Sequence, residues 1–120
     1  MMIREFIWVA IGGAAGSVLR YGFSFFNRSD SFPFSTLTIN VIGSFLLGAI
    51  IAYTDKNPSG FPWKQLLGIG LCGGFTTFSA FSMESLTLLK QQQYHLLIAY
   101  VFASFTLGIG GAWIGYQLCR

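Results

Sequence analysis

The sequence predicts an all-α membrane protein with four transmembrane helices, the third of which is broken near the middle of the membrane. Three observations lead to this fold class. The 120 residues are 53% hydrophobic and only 9% charged, whereas about 25% of the residues of a typical soluble domain are charged. The apolar residues form four long runs. The third run contains the glycine-rich and polar segment GGFTTFSAF at residues 73–81.

The four apolar runs cover residues 3–26, 34–53, 65–89 and 95–118. Each is long enough to cross about 30 Å of hydrocarbon, which takes about 20 helical residues. The segments between them are short and rich in Pro, Gly, Asn or Gln, as expected of loops. We therefore predict that residues 1–120 form a single four-helix transmembrane domain. The first run begins like a secretory signal peptide, but it is long and three more runs follow, so we predict that it is retained as a helix.

The first span carries one charge well inside its apolar run. An unpaired charge at that depth is expensive, so the side chain of Arg20 must reach water, find a partner or belong to a functional pathway. Gly12 and Gly16 lie one turn apart, which allows another helix to approach this face closely.

One face of the second span is polar and small. At three- and four-residue spacing, this face carries Thr36, Asn40, Gly43, Ser44 and Gly48. Asn40 is its most expensive member, because its amide has two donors and one acceptor oxygen to satisfy. Two interpretations stay open: a hydrogen bond to another helix that stabilises the bundle, or a donor directed at a permeating anion.

The third span contains residues that disfavour a continuous helix. Gly73 and Gly74 each weaken a helix by about 1 kcal/mol relative to Ala, and a Thr after a break is a natural N-cap for the next helix. We therefore predict two half-helices with an unwound link whose freed carbonyls suit a small cation. Phe78 and Phe81 lie one turn apart on the second half, and the positive edges of their rings suit an anion.

The fourth span places Tyr100 and Ser104 on one face, with three glycines further along it. The glycines permit close packing, and the two hydroxyls either bond to a neighbouring helix or form a polar track.

The basic residues do not determine the orientation of the chain. With four spans, both termini lie on the same side of the membrane. That side holds four basic residues and the other side holds three: Arg4, Lys56, Lys64 and Arg120 against Arg20, Arg28 and Lys90. Such a balance lets the chain insert either way up. Four helices enclose little interior, so a transport pathway requires an oligomer. We therefore predict an antiparallel homodimer about a twofold axis in the membrane plane.

Three motifs together resemble the small fluoride-channel family called Fluc or CrcB. They are GAAGSVLRY at 13–21, TINVIGSFLLG at 38–48 and GGFTTFSAF at 73–81. Their order, the chain length and the four-span layout match as well, so the resemblance covers nearly the whole chain. One position departs from the family pattern, since Ala80 stands where the family often has a threonine.

The resemblance implies a dual-topology homodimer in the bacterial inner membrane, with two parallel pores that export fluoride by passive electrodiffusion. It assigns the fluoride pore to Asn40, Phe78, Ser79, Phe81, Tyr100 and Ser104, and a pore entrance to Arg20. It also implies a structural sodium ion at the dimer interface, held by the backbone carbonyls of Gly73 and Thr76 from each subunit.

The alternative transport function is a small dual-topology, proton-coupled multidrug exporter. Such an antiporter needs a titratable carboxylate deep in a span. Within the four predicted spans, the acidic residues are Glu5, at an edge, and Glu84, beyond the Phe78–Phe81 pair. The basic residues are scattered and form no patch for nucleic acid. The chain has one His and no pair of acids or cofactor loop, so we do not expect an enzyme.

Overall fold

The computed structural model describes residues 2–26 and 32–120, and every regular element in these two ranges is helical. Helix α1 is Met2–Phe23, followed by a 3₁₀ turn at Ser24–Phe26; α2 is Phe34–Lys56; α3 is a π-helix, Lys64–Cys72, that continues as one α-helical turn, Gly73–Phe75; α4 is Phe78–Lys90; and α5 is Tyr94–Cys119.

Four stretches of the described chain are long and apolar enough to cross a membrane, and the third of them, Lys64–Lys90, comprises α3 and α4. The predicted all-α architecture with four spans and a broken third span is confirmed. The second helix runs three residues further than the predicted span, because Thr54, Asp55 and Lys56 continue its hydrogen bonding at the membrane surface.

The helices pack as two close pairs, α1 against α3 and α2 against α5. In the first pair, Gly12 and Gly16 lie directly against the backbone carbonyls of Leu66 and Leu71. A Cβ atom at Gly16 would also come within 2.8 Å of the backbone nitrogen of Phe75. Because lipid offers no hydrophobic drive for helix association, such backbone contact across small residues supplies the packing energy.

The second pair uses glycines on both helices. Gly48 of α2 lies against the carbonyl of Ala112, and Gly115 of α5 lies against the carbonyl of Phe45. These reciprocal contacts hold the polar face of α2 beside Tyr100 and Ser104 on α5, which brings two of the predicted polar faces together.

The break in the third span lies at Thr76 and Thr77. Both residues have extended backbone, with φ −82° and ψ 155° at Thr76 and φ −151° and ψ 121° at Thr77. The predicted weak point at the two glycines is wrong in position, since Gly73 keeps helical angles of −63° and −38°. Gly74 is required for a different reason, because an added Cβ would lie 3.0 Å from the Cα of Gly13 in α1.

The π-helical form of Lys64–Cys72 was not expected from the sequence. Its wider turn is visible where the backbone N–H of Gly73 bonds to the carbonyl of Gly68, five residues earlier. A π-helical segment is rare and often lies next to a functional region. Here it leads directly into the break.

Candidate functional site at the break in the third span

Asn40 of α2 bonds to the break with both ends of its amide. Its Nδ2 donates to the carbonyl oxygen of Thr77 at 3.2 Å, and its Oδ1 accepts from the backbone N–H of Thr77 at 2.9 Å. Because the N–H of Thr77 must face the amide oxygen and its C=O must face the amide nitrogen, these two bonds determine the orientation of the Asn40 side chain. The stabilising hydrogen bond proposed for Asn40 is thus present, and one of its two amide hydrogens remains for another acceptor.

The break also leaves backbone carbonyls without the N–H partners that a continuous helix would give them. In a continuous helix the N–H of Thr77 would bond to the carbonyl of Gly73, but it bonds to Asn40 instead. The N–H of Ala80 would bond to the carbonyl of Thr76, but it donates to the hydroxyl of Thr77 at 3.1 Å. Thr77 is therefore the N-cap of α4. The four carbonyls of residues 73–76 lose their helical partners at the break, and those of Gly73 and Thr76 are two of them.

Arg20 reaches the end of α3. Its Nε donates to the carbonyl oxygen of Gly74 at 3.3 Å, and the side chain is half-buried. A cation at a helix C-terminus is favourable, because the last carbonyls carry partial negative charge. Arg20 therefore satisfies a polar group of the break and is itself paired, which answers how an arginine is tolerated inside the first span.

A cavity of about 210 Å³ lies beside the break, between α2, α4 and α5. It is lined by Asn40, Ser44, Thr76, Thr77, Phe78, Phe81, Ser104, Phe105 and Gly108. None of these side chains carries a formal charge, and an amide, several hydroxyls and three phenyl rings face one space. Such a lining offers hydrogen-bond donors and ring edges without a competing carboxylate.

The three rings of this lining are in contact. The centroids of Phe78 and Phe81 lie 5.7 Å apart at an interplanar angle of 42°. Phe81 meets Phe105 edge-on at 6.2 Å and packs against Tyr100 at 5.1 Å. Phe81 is therefore held in place from two sides, whereas Phe78 is 73% exposed on the surface of the protomer.

A buried polar group lies behind Phe81. Tyr100 is completely buried, and its hydroxyl donates to Oε1 of Glu84 at 3.4 Å. The hydroxyl of Thr36 lies beside both side chains. This arrangement gives the carboxylate of Glu84 polar partners outside the lining of the cavity.

Three buried hydroxyls have no hydrogen-bond partner within the described residues: Ser35, Ser85 and Ser104. A buried hydroxyl without a partner is unusual. Only Ser104 of these three lines the cavity, so its Oγ is available to whatever occupies that space.

The predicted site residues are only partly brought together. Five of them line the cavity: Asn40, Thr76, Phe78, Phe81 and Ser104. Ser79 instead faces Thr77, whose hydroxyl oxygen lies 3.0 Å from its own. Tyr100 lies behind Phe81, and Arg20 lies at the end of α3.

Sequence reasoning did not assign Phe105 or Ser44 to the site. An aromatic residue in an apolar helix has no local signal that separates it from those facing lipid, so Phe105 could not have been found. Ser44 shares the helical face of Asn40, and that spacing was a usable signal.

The geometry can be compared with known proteins. The family model described as CrcB-like protein, Camphor Resistance (CrcB), matches residues 7–116. A protein named fluoride-specific ion channel FluC from Oceanobacillus iheyensis is 45% identical, covering 97% of this chain and 92% of the relative. Its namesakes from Leptospira interrogans and Vibrio cholerae are 43% and 41% identical, covering 98% and 92% of this chain and 95% and 90% of those relatives.

These matches extend over the spans, the break and the cavity residues described above. A family model that covers most of the chain, together with relatives that align over nearly their full lengths, leaves no part of the site outside the comparison. The chain is therefore a multi-pass membrane protein that belongs to the CrcB family.

Proposed function

We propose that this chain is the protomer of a fluoride-specific ion channel that exports cytoplasmic fluoride by passive electrodiffusion, and not an enzyme. The observation that carries this function is the uncharged cavity at the break. Fluoride is small and strongly hydrated, so it leaves water only where other donors replace its hydration shell. The free amide hydrogen of Asn40, the hydroxyl of Ser104 and the edges of Phe78 and Phe81 offer that replacement. The named function of the relatives supports the same conclusion.

The pathway requires a second copy of the chain. Phe78 is exposed at the protomer surface, and Gly73 has no atom within 4 Å of the position of an added Cβ. Both therefore lie on a face that one protomer leaves open, next to the cavity. Two copies of a four-helix chain inserted in opposite orientations would cover this face and form two pores, as the balanced loop charges allow.

The carbonyls of Gly73 and Thr76 fit a sodium ion at such an interface. Both have lost their helical partners, and an unsatisfied carbonyl in hydrocarbon costs several kcal/mol. No cluster of three or more His, Cys, Asp or Glu side chains in the described ranges could hold a metal, whereas the break offers backbone carbonyl oxygens. Two carbonyls from each of two subunits would supply four oxygens, the ligand type that hard cations prefer. When bound, the ion supplies positive charge near the anion pathway.

The other predicted residues have supporting roles in this proposal. Tyr100 supports Phe81 from behind and continues, with Ser104, a polar track along α5. Ser79 and Thr77 share a hydroxyl pair at the start of α4. Arg20 neutralises the end of α3 near one entrance. Ala80 contributes only its backbone N–H to the cap.

The test is fluoride efflux from liposomes that contain only this protein, with chloride as the control anion. We expect efflux that begins only when a potassium ionophore balances the charge, that excludes chloride and that is unaffected by a proton gradient. A requirement for proton exchange would favour the exporter, with Glu84 as its titratable group. Comparable passage of chloride would contradict selectivity.

The sodium site is tested separately. Sodium is replaced by a large organic cation on both sides of the membrane, and efflux is followed after long equilibration. We expect efflux to decline, and undiminished efflux would remove the ion from the proposal while leaving the channel function intact.

A further inference from the structure

A second, larger pair of cavities lies at the end of the bundle that holds the chain termini and the α2–α3 connection. The first is a polar cavity of about 300 Å³ lined by residues 4, 5, 54, 55 and 57–65. The second is an apolar groove of about 510 Å³. Thr54, Asn57 and Trp63 line both, so the two cavities are adjacent. Neither belongs to the candidate pathway described above.

The polar cavity contains two cations and two carboxylates: Arg4, Lys64, Glu5 and Asp55. Arg4 uses one N–H of its guanidinium on the carbonyl of Gly60 at 2.6 Å, and Lys64 pairs with Asp55 at 2.6 Å. Each cation keeps further donors, since a guanidinium has five and an ammonium has three. Glu5 has no hydrogen bond or ion pair within the described part of the chain and is free to accept.

The wall of this cavity is built by aromatic contacts. Phe61 packs against Trp8 of α1 at 4.8 Å between ring centroids and against Trp63 at 4.5 Å. These contacts hold the connection before α3 against α1, and Trp63 lies where the polar cavity meets the groove. A Trp at such a boundary is typical of the level of lipid headgroups.

The apolar groove follows one face of α2. Its residues on α2 are Leu46, Ala49, Ile50, Tyr53 and Thr54, and the residue that follows the helix, Asn57, also lines it. Leu46 and Asn57 are eleven positions apart, and a helical rise of 1.5 Å per position makes the groove about 16 Å long, which is about half of the 30 Å hydrocarbon thickness. The polar residues are at the surface end and the aliphatic residues are at depth. The groove thus has the length and polarity of an acyl chain in one leaflet.

We propose that the two cavities together bind one zwitterionic phospholipid with a primary ammonium in its headgroup, as in phosphatidylethanolamine. The phosphate lies between Arg4 and Lys64, the ammonium donates to Glu5, and one acyl chain occupies the groove. Equal numbers of cations and carboxylates match a headgroup without net charge better than an anionic one. A primary ammonium can donate hydrogen bonds to the Glu5 carboxylate, whereas the methylated ammonium of choline cannot.

The test is native mass spectrometry of the purified full chain with an equimolar mixture of phosphatidylethanolamine, phosphatidylcholine and phosphatidylglycerol of matched acyl chains. We expect adducts of the ethanolamine lipid to be at least about threefold more abundant than adducts of either other lipid. One full charge-assisted hydrogen bond would give a ratio of about ten, and the expected ratio is smaller because the site is partly exposed. Glu5→Gln should bring the ethanolamine-to-choline ratio close to one. Arg4→Gln should reduce adducts of all three lipids.

Two further variants separate the groove from general lipid association. Ala49→Trp fills the groove and should reduce adducts of all three lipids. Lys56→Gln, which removes a cation at the end of α2 outside the lining of both cavities, should leave the adduct distribution unchanged. Ile98→Trp, at a position 69% exposed, should also leave it unchanged.

Three results would overturn the proposal. Equal occupancy by the three lipids would show only non-selective surface lipid, and dominance of phosphatidylglycerol would show that the cations alone attract it. Loss of a dimer mass in Ala49→Trp would show that the groove is covered by a second copy instead. None of these readouts depends on fluoride transport, so the lipid site can fail while the channel function holds.

Discussion

Replacing Asn40 with leucine separates the structural role of its amide from its role in anion transport. The substitution keeps the approximate size of the side chain and removes both hydrogen bonds to Thr77, of 3.2 and 2.9 Å. The backbone N–H of Thr77 then has no partner at the break, and its C=O keeps only the first hydrogen bond of α4. We therefore expect a stability loss in addition to any effect on flux.

The size of that loss follows from the orphaned N–H and from the one hydrogen bond that the carbonyl loses. An unsatisfied buried polar group costs about 1–3 kcal/mol and a lost hydrogen bond costs about 1 kcal/mol, which gives an upper range of about 2–4 kcal/mol. Thr77 also lines the cavity, where water reaches it after the amide is gone. Hydrogen bonds between membrane helices average only about 0.6 kcal/mol in measured cases. The expected loss of unfolding free energy is therefore about 2–3 kcal/mol.

The assay has two parts, because stability and transport must be read independently. Unfolding in mixed micelles with increasing SDS gives the stability of Asn40→Leu. Fluoride efflux from liposomes, normalised to the folded protein, gives its transport rate. Thr38→Val is the matched control, since Thr38 is an exposed polar residue of α2 with no hydrogen bond in the described structure. We expect the control to match the native chain in both measurements.

Two outcomes would refute the reasoning. If Asn40→Leu unfolds like Thr38→Val, the double hydrogen bond at the break has no energetic role. If Asn40→Leu is destabilised but conducts fluoride normally per folded protein, the remaining amide hydrogen is not part of the pathway. The second outcome would leave the fold intact and remove Asn40 from the site.

Three further predictions concern the cap, the helix contact and the rings. Thr77→Val removes the hydroxyl that caps α4 and should lower the free energy of unfolding by about 1 kcal/mol in the same assay. Thr77→Ser keeps a hydroxyl and should keep the native stability. Equal stability of the two variants would contradict the cap. Gly16→Ala places a Cβ against the backbone of α3 and should lower folded yield severely, as judged by size-exclusion chromatography, whereas Gly22→Ala meets no atom within 4 Å and should be tolerated. Phe81→Ile removes the ring held between Tyr100 and Phe105 and should reduce fluoride efflux at least about tenfold, one step of about 1.4 kcal/mol in the barrier, whereas Phe102→Ile, 71% exposed on the same helix as Phe105, should not; equal rates would exclude the ring from the pathway.

Much of the candidate site was accessible from local patterns. The sequence predicts the pair Phe78 and Phe81 at one-turn spacing, and Asn40 on a polar face, as site residues, and all three line one cavity. Ser79 was assigned with them, but position on α4 turns it towards Thr77. The place of Ser79 beside Phe78 in the sequence motif does not determine which way its side chain faces at the N-terminus of the helix.

The sequence by itself determined the four spans, the interruption of the third and the kind of residue that caps α4, which is a threonine. Each of these depends on hydropathy or hydrogen bonding within a few residues, so it can be read along the chain. Only the tertiary structure decided where the break lies and which carbonyls it frees. The partner of Thr77 is Asn40, 37 positions away in the sequence, and α2 is held in reach by its contact with α5. Of the two glycines that looked like helix breakers, Gly74 serves instead as a contact point with Gly13 of α1, because a missing Cβ matters only when another backbone arrives beside it.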